Sequence, residues 1–105
     1  MNDKILGLLG LARRAGRLQI GFEASAEAVE KGKSKLLILA SDTAQRTEKE
    51  LRFLSRDKEI DIIRIENTKA ELSKAVGTSV GALAVCDENF AERVKELCVQ
   101  GGNNI

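Results

Sequence analysis

Apolar residues follow two rhythms along this chain, a helical spacing of three to four and short alternating or continuous runs. Ile5, Leu8, Leu9 and Ala12 share one helical face, with Asn2 or Asp3 placed to cap it and Gly16 to stop it. Arg17 to Ile20 alternates polar and apolar, as a short edge strand does. Gly21 then gives a tight turn into a helix from Phe22 to Lys31, where Phe22, Ala26 and Val29 recur at helical spacing and Gly32 is a stop. Leu36 to Ala40 is continuously apolar, which predicts a central strand buried on both faces. Ser41, Asp42 and Thr43 are placed to cap a helix through about Ser55, with Leu51 and Leu54 inward. Ile60, Ile62, Ile63 and Ile65 give a third strand signal. Asn67 and Thr68 open a helix with Leu72 and Val76 inside, closed by Gly77. Val80 to Cys86 is the fourth strand signal, weakened at its start by Gly81. Asp87 or Glu88 caps a last helix on which Phe90, Val94 and Leu97 share a face.

The order α-β-α-β-α-β-α-β-α predicts an α/β fold, with a four-stranded, mostly parallel sheet and about five helices on its two faces. Repeats, linkers and low-complexity blocks are missing from the sequence. The expectation is one domain over residues 1–105, folded over 1–99, with 100–105 as a flexible tail.

Composition narrows the chemistry. The chain has no His, so no imidazole serves as base, proton shuttle or metal ligand. Cys86 and Cys98 lack C-x-x-C spacing and read as buried structural thiols rather than a metal pair or a disulfide framework. Gly7-Leu8-Leu9-Gly10-Leu11-Ala12 falls inside a helix pattern, so its glycines read as packing positions rather than a dinucleotide fingerprint. Gly32-Lys33-Ser34 echoes a phosphate loop but precedes a strand, the wrong context for one. Acids fall among bases on helix faces, as in Glu48-Lys49-Glu50 and Glu92-Arg93, and read as solvated ion pairs. No catalytic, metal or cofactor site is expected, and the chain reads as a non-enzyme.

Charge and hydropathy add location and partner. The apolar run over 5–12 is too short to span a bilayer, and arginines follow rather than precede it, the reverse of a secretory signal. A cytoplasmic protein with no membrane partner is expected. The net charge is only +1, but Lys4, Arg13, Arg14 and Arg17 occur with no acid over 4–20, and Lys31, Lys33 and Lys35 follow closely. A locally basic face on a near-neutral protein is one reading of this bias, and solvated helix ends are the other.

The segment from Ile20 to Asp42 is the most specific part of the chain. Gly21 opens its helix, Ala28-Val29-Glu30-Lys31-Gly32 ends it, and Lys33-Ser34-Lys35 leads into the apolar strand that runs to Ala40-Ser41-Asp42. Together with Leu11-Ala12-Arg13-Arg14-Ala15-Gly16, Ala75-Val76-Gly77 and the stretch from Val80 to Asp87, it resembles the ribosomal protein family named for L-seven-Ae and L-thirty-e, in particular its small bacterial members. The likeness spans about residues 2–97. It implies a three-layer α/β/α sandwich with a mixed, mostly parallel sheet. It also implies a structured RNA as partner, either ribosomal RNA or a kink-turn-like element, and association with the ribosome.

In family members that recognise kink-turns, the helix opens Gly-x-Asn-Glu with a Lys three residues after the Glu. The Asn and Glu meet the edges of sheared G·A pairs, and basic groups meet phosphate. Here Gly21 matches and Phe22 is the variable position. Glu23 stands at the Asn position, Ala24 at the Glu position and Glu27 at the Lys position. Ala24 accepts no hydrogen bond, and Glu27 puts negative charge where a cation is expected, so standard kink-turn recognition is expected to be weakened or lost. Lys31 matches a basic position. Arg13, Arg14, Arg17, Lys33 and Lys35 are further candidates for phosphate, and Ser79-Val80-Gly81-Ala82, with Val80, Gly81 and Ala82 as contact candidates, is the loop that in the family packs a flipped-out nucleotide.

Plainer readings stand beside these. Gly21 serves the turn alone, the lysines are solvated loop residues, Arg13 and Arg14 favour the negative end of the first helix, and Val80 is part of the core. A protein-interaction module that has lost its RNA site is the alternative function.

Overall fold

The computed structural model describes residues 3–102, in which five helices and four strands alternate: α1 (Asp3–Arg14), β1 (Leu18–Ile20), α2 (Phe22–Glu30), β2 (Leu36–Leu39), α3 (Gln45–Ser55), β3 (Asp61–Arg64), α4 (Lys69–Val76), β4 (Ala82–Val85) and α5 (Glu88–Gly102). The strands form one sheet in the order β1-β4-β2-β3. The all-apolar β2 and β4 take the central places, every residue of each buried, and the shorter or half-polar β1 and β3 take the edges.

The sheet is mixed, but its parallel character is only partial. Only β2 and β3 pair in parallel, while β4 runs antiparallel to both β1 and β2. β1, β2 and β3 do point the same way, as helical crossovers dictate. The short α4 then returns the chain into the gap between β1 and β2, so β4 enters reversed.

Helices cover both faces. α1, α4 and α5 bring Ile5, Leu9, Ala12, Leu72, Val76, Ala91 and Val94 onto Leu18, Leu36, Ile38, Leu83 and Val85. α2 and α3 bring Ala28, Val29 and Leu51 onto Leu37, Leu39, Ala82 and Ala84. The result is the three-layer α/β/α sandwich. Alternate residues of β2 and β4 feed opposite cores, which is why those two strands read as unbroken apolar runs.

Local signals explain most boundaries. Thr68 and Glu71 form a reciprocal capping box at the start of α4, and Gly77 ends it in the left-handed conformation. Asp87 Oδ1 accepts from the Phe90 amide and caps α5. α5 continues through Gly102, and residues 103–105 of the expected tail lie outside the described residues. Asp3 is already helical in α1, and Asn2, the other capping candidate, also lies outside them.

α3 corrects the sequence expectation. It starts at Gln45 with Ala44 at the cap and no side-chain capping bond. Ser41, Asp42 and Thr43 do not cap it because the last two are engaged elsewhere. Asp42 Oδ1 accepts from the Lys69 amide, and Thr43 Oγ1 donates to the Gly81 carbonyl. Arg64 holds this turn from β3, donating through Nη1 to the carbonyls of Ala40, Ser41 and Thr43, while Nη2 meets Glu48 Oε1 at 2.6 Å.

Arg64, and after it Arg52, hold the Glu48 carboxyl below its ordinary range. Glu48 therefore binds a proton less readily folded than unfolded. Its contribution to stability is complete above the ordinary value of 4.5 and is lost as pH falls through the lower folded value. Glu48→Gln is expected to weaken the protein at neutral pH and to lose less stability than wild type between pH 6 and pH 3, read as urea midpoints across that series.

Candidate nucleic-acid interface

Strand register sorts the sequence-predicted site residues onto two ends of the sheet. At one end β1 finishes at Ile20, β2 finishes at Leu39 and β4 begins at Ala82. The Gly21 amide donates to the Ala82 carbonyl at 2.9 Å, and the Ala40 amide donates to the Gly81 carbonyl at 3.0 Å. These bonds bring Gly21, Phe22, Glu23 and Ala24 beside Val80, Gly81 and Ala82, although the two groups are about sixty residues apart in the chain. The opposite end, about 13 Å away at the usual strand rise, holds Arg17 and Lys35, whose neighbours Leu18 and Leu36 both pair with Val85.

Gly21 has φ of 100°, which favours glycine and lets β1 turn directly into α2. No side chain caps α2, so the amides of Phe22, Glu23 and Ala24 meet neither an intrahelical acceptor nor a capping group. Such a helix start attracts anions in general. Here Glu23 already puts a carboxylate in the first turn, and Glu23, Glu27 and Glu30 are all exposed along the helix. Glu27 also pairs with Lys31 at 3.3 Å, which offsets the one cation of α2 that matches the family pattern. Phe22 and Ala24 are half-buried, Phe22 packing against the α2–α3 core.

The loop before β4 is built around a close approach. A Cβ on Gly81 would lie 2.9 Å from Thr43 Oγ1 and 3.5 Å from Lys69 Cε. Gly81→Ala is therefore expected to displace Thr43 and cost about 1–3 kcal/mol of stability. Adding Thr43→Ala should relieve part of that cost, and thermal denaturation of the two single variants and the double variant reads the coupling.

Two residues of this end escaped sequence reading. Lys69 lies over Gly81, and its position at the start of α4 looked like an ordinary helix lysine. Asn67 is fully buried, with neither side-chain amide atom hydrogen-bonded. Its carbonyl accepts from the Ser41 amide, which joins the loops after β2 and β3. In the sequence Asn67 reads only as a helix opener beside Thr68, and no spacing signal distinguishes Lys69.

The remaining candidates divide. A Cβ on Gly77 would come within 3.1 Å of Arg13 Nη2, so the Arg13 guanidinium lies against the turn that leads to Val80. Arg14 is exposed on the last turn of α1. Arg17, Lys33 and Lys35 are exposed at the far end, and Lys31 ends α2 on the way there. Val80 is half-buried against the core, as its plainer reading had it, and Ala82 is fully inside β4. Cys86 and Cys98 are free and half-buried, and burial pushes both thiols up. Among the described residues there is no cluster of metal-ligating side chains, and no helix is long and apolar enough to cross a membrane.

Comparison with known proteins gives consistent matches. The sequence model of the Ribosomal protein L7Ae/L30e/S12e/Gadd45 family matches residues 3–95. RNA-binding protein YlxQ of Enterococcus faecium is 30% identical over 95 residues, covering 90% of this chain and 91% of its own. Large ribosomal subunit protein eL30 of Yarrowia lipolytica is 26% identical over 87 residues, covering 81% and 80%. Among solved structures, a protein of unknown function from Bacillus halodurans C superposes with a TM-score of 0.84 at 33% identity, over 91% of this chain and 97% of the other. The Giardia lamblia 15.5kD RNA binding protein shares the fold with a TM-score of 0.71 at 22% identity, over 95% and 89%.

Proposed function

We propose that this chain, which belongs to the Ribosomal protein L7Ae/L30e/S12e/Gadd45 family, is a ribosomal-type protein that binds structured RNA and reads kink-turns weakly or not at all. The observation that carries the reading is the junction of Gly21–Ala24 with Val80–Ala82 at one end of the sheet, where the resemblance puts RNA contact. Uncapped amides at the start of α2 and the Lys69 side chain over Gly81 offer phosphate contacts. The relatives YlxQ, named as an RNA-binding protein, and eL30, named as a large-subunit ribosomal protein, support the same class.

The weak kink-turn reading rests on three side chains. Glu23 and Ala24 replace the groups that would read sheared G·A edges. Glu27 replaces a cation and occupies Lys31. A carboxylate near the RNA backbone opposes the phosphate attraction that dominates affinity.

Filter binding to ribosomal RNA and to a kink-turn hairpin tests both parts. Expected is binding to ribosomal RNA whose logarithmic affinity falls linearly with the logarithm of salt, and weaker binding to the hairpin. No binding to either RNA at low salt overturns the reading. The acidic outer face of α2, with Glu23, Glu27 and Glu30 exposed, favours one other reading, a protein-interaction module on this fold. Co-sedimentation with ribosomes that RNase abolishes excludes it.

A further inference from the structure

Three cations converge at the end of the sheet opposite Gly21. The Cys86 amide donates to the Arg17 carbonyl, and the Lys35 amide donates to the Val85 carbonyl, so Arg17 and Lys35 flank the exit of β4 from both sides. Lys33 lies two residues before Lys35, and both ammonium groups act on the Cys86 thiol, opposing the stronger effect of burial. All three side chains are exposed. Among the described residues, Lys33 and Lys35 have no carboxylate within 4 Å, and Arg17 has one partner, Asp87, at 3.8 Å. An exposed pair at that distance holds its cation weakly. The surface turns mixed beyond Lys35, where a groove of about 340 Å³ carries Lys58 and Lys95 against Glu59, Glu88 and Glu92.

From this arrangement we infer that Arg17, Lys33 and Lys35 form a second RNA contact, one that holds phosphate backbone at the far end of the sheet from the α2 start. The inference rests on the RNA-binding reading above. The distribution of charge favours it. The α2 start presents Glu23 and the outer face of α2 presents Glu27 and Glu30, whereas at the far end three exposed cations stand against one paired carboxylate, Asp87, before the mixed groove that Lys35 shares with Glu59, Glu88 and Glu92. Flexible lysines on loops make sequence-independent phosphate contacts. Such a contact carries affinity that the altered helix start does not.

The test uses the full chain and ribosomal RNA over a salt series, with the variant Arg17→Ala/Lys33→Ala/Lys35→Ala. All three side chains are exposed, so folding is expected to be unchanged, and circular dichroism checks it. Expected is about a tenfold loss of affinity at low salt and a salt slope shallower by two to three, about 0.9 per phosphate contact. Arg17→Lys/Lys33→Arg/Lys35→Arg should retain both. In wild type, RNA should also slow alkylation of Cys86 more than that of Cys98, read by peptide mass spectrometry. If wild type binds and the alanine variant keeps its affinity and slope, the second contact is wrong while RNA binding stands. If wild type binds no RNA, both fail together.

Discussion

Ile38→Ala should lower the unfolding free energy by about 3–4 kcal/mol, the largest stability loss expected from a single truncation here. Ile38 is fully buried at the middle of β2, paired with Leu83 on one side and Ile63 on the other. It belongs to the core that Leu9, Leu72, Val76 and Val94 bring from α1, α4 and α5. Removing three carbons forfeits about 0.8 kcal/mol of transfer energy per methylene, and a cavity between a sheet and three helices adds to that. Against a total of about 5–15 kcal/mol for ordinary domains, the loss is a large fraction. The chain has neither Trp nor Tyr, so urea unfolding is best followed by far-ultraviolet circular dichroism. The midpoint should fall with little change in slope. Phe53→Ala is the contrast: Phe53 is 62% exposed and contacts Arg56 across its ring, so its loss should cost under about 1 kcal/mol. Equal effects of the two substitutions would mean that the α1–α4–α5 core is not packed around β2.

The elements of this fold were legible because each carries its own local signal. Leu36–Leu39 and Ala82–Val85 stand out as unbroken apolar runs, and Thr68, Gly77 and Asp87 mark helix ends by their hydrogen-bonding chemistry. The order of strands was not legible. Strand-helix alternation fixes that β1, β2 and β3 run alike, but nothing in Val80–Cys86 says that this strand enters between β1 and β2 in reverse. That choice is made by cross-strand packing of residues far apart in sequence. The capping of α3 failed for a related reason. Asp42 and Thr43 are good local caps, yet long-range bonds to Lys69 and Gly81 took them. Competition between a local and a distant partner for one side chain cannot be read from spacing.

The candidate site was legible by half. Gly21 and the 80–82 loop were named from the resemblance, and the register places them together. The basic residues were grouped by nearness in the chain, whereas the fold divides them: Arg17, Lys33 and Lys35 lie at the other end of the sheet, and Arg13 lies against the Gly77 turn. Lys69 gave no signal, and Asn67 read only as a helix opener, because their importance lies in which loops they adjoin.

Glu23→Asn, Ala24→Glu and Glu27→Lys introduced together should raise affinity for a kink-turn hairpin at least about tenfold, equivalent to about 1.4 kcal/mol. The helix start that would receive these groups is already in place. Gly21 turns β1 into α2, Glu23 and Glu27 are exposed, and Ala24 is half-buried, so the changes should leave the core undisturbed. Glu27→Lys acts twice, replacing a carboxylate that opposes phosphate and releasing Lys31 from its 3.3 Å pair. The three substitutions make the helix two charges more positive, and the salt dependence should steepen by about one to two in slope. Ala24→Glu alone adds an acid, so electrostatics predict a loss from it; a gain from that single change would come from base-edge hydrogen bonds instead. A hairpin with its tandem G·A pairs replaced by Watson–Crick pairs separates the terms, since it should keep the electrostatic gain and lose the rest. No gain on either hairpin would mean that the start of α2 does not face RNA, and the junction of Gly21 with the 80–82 loop would lose its claim to be the site.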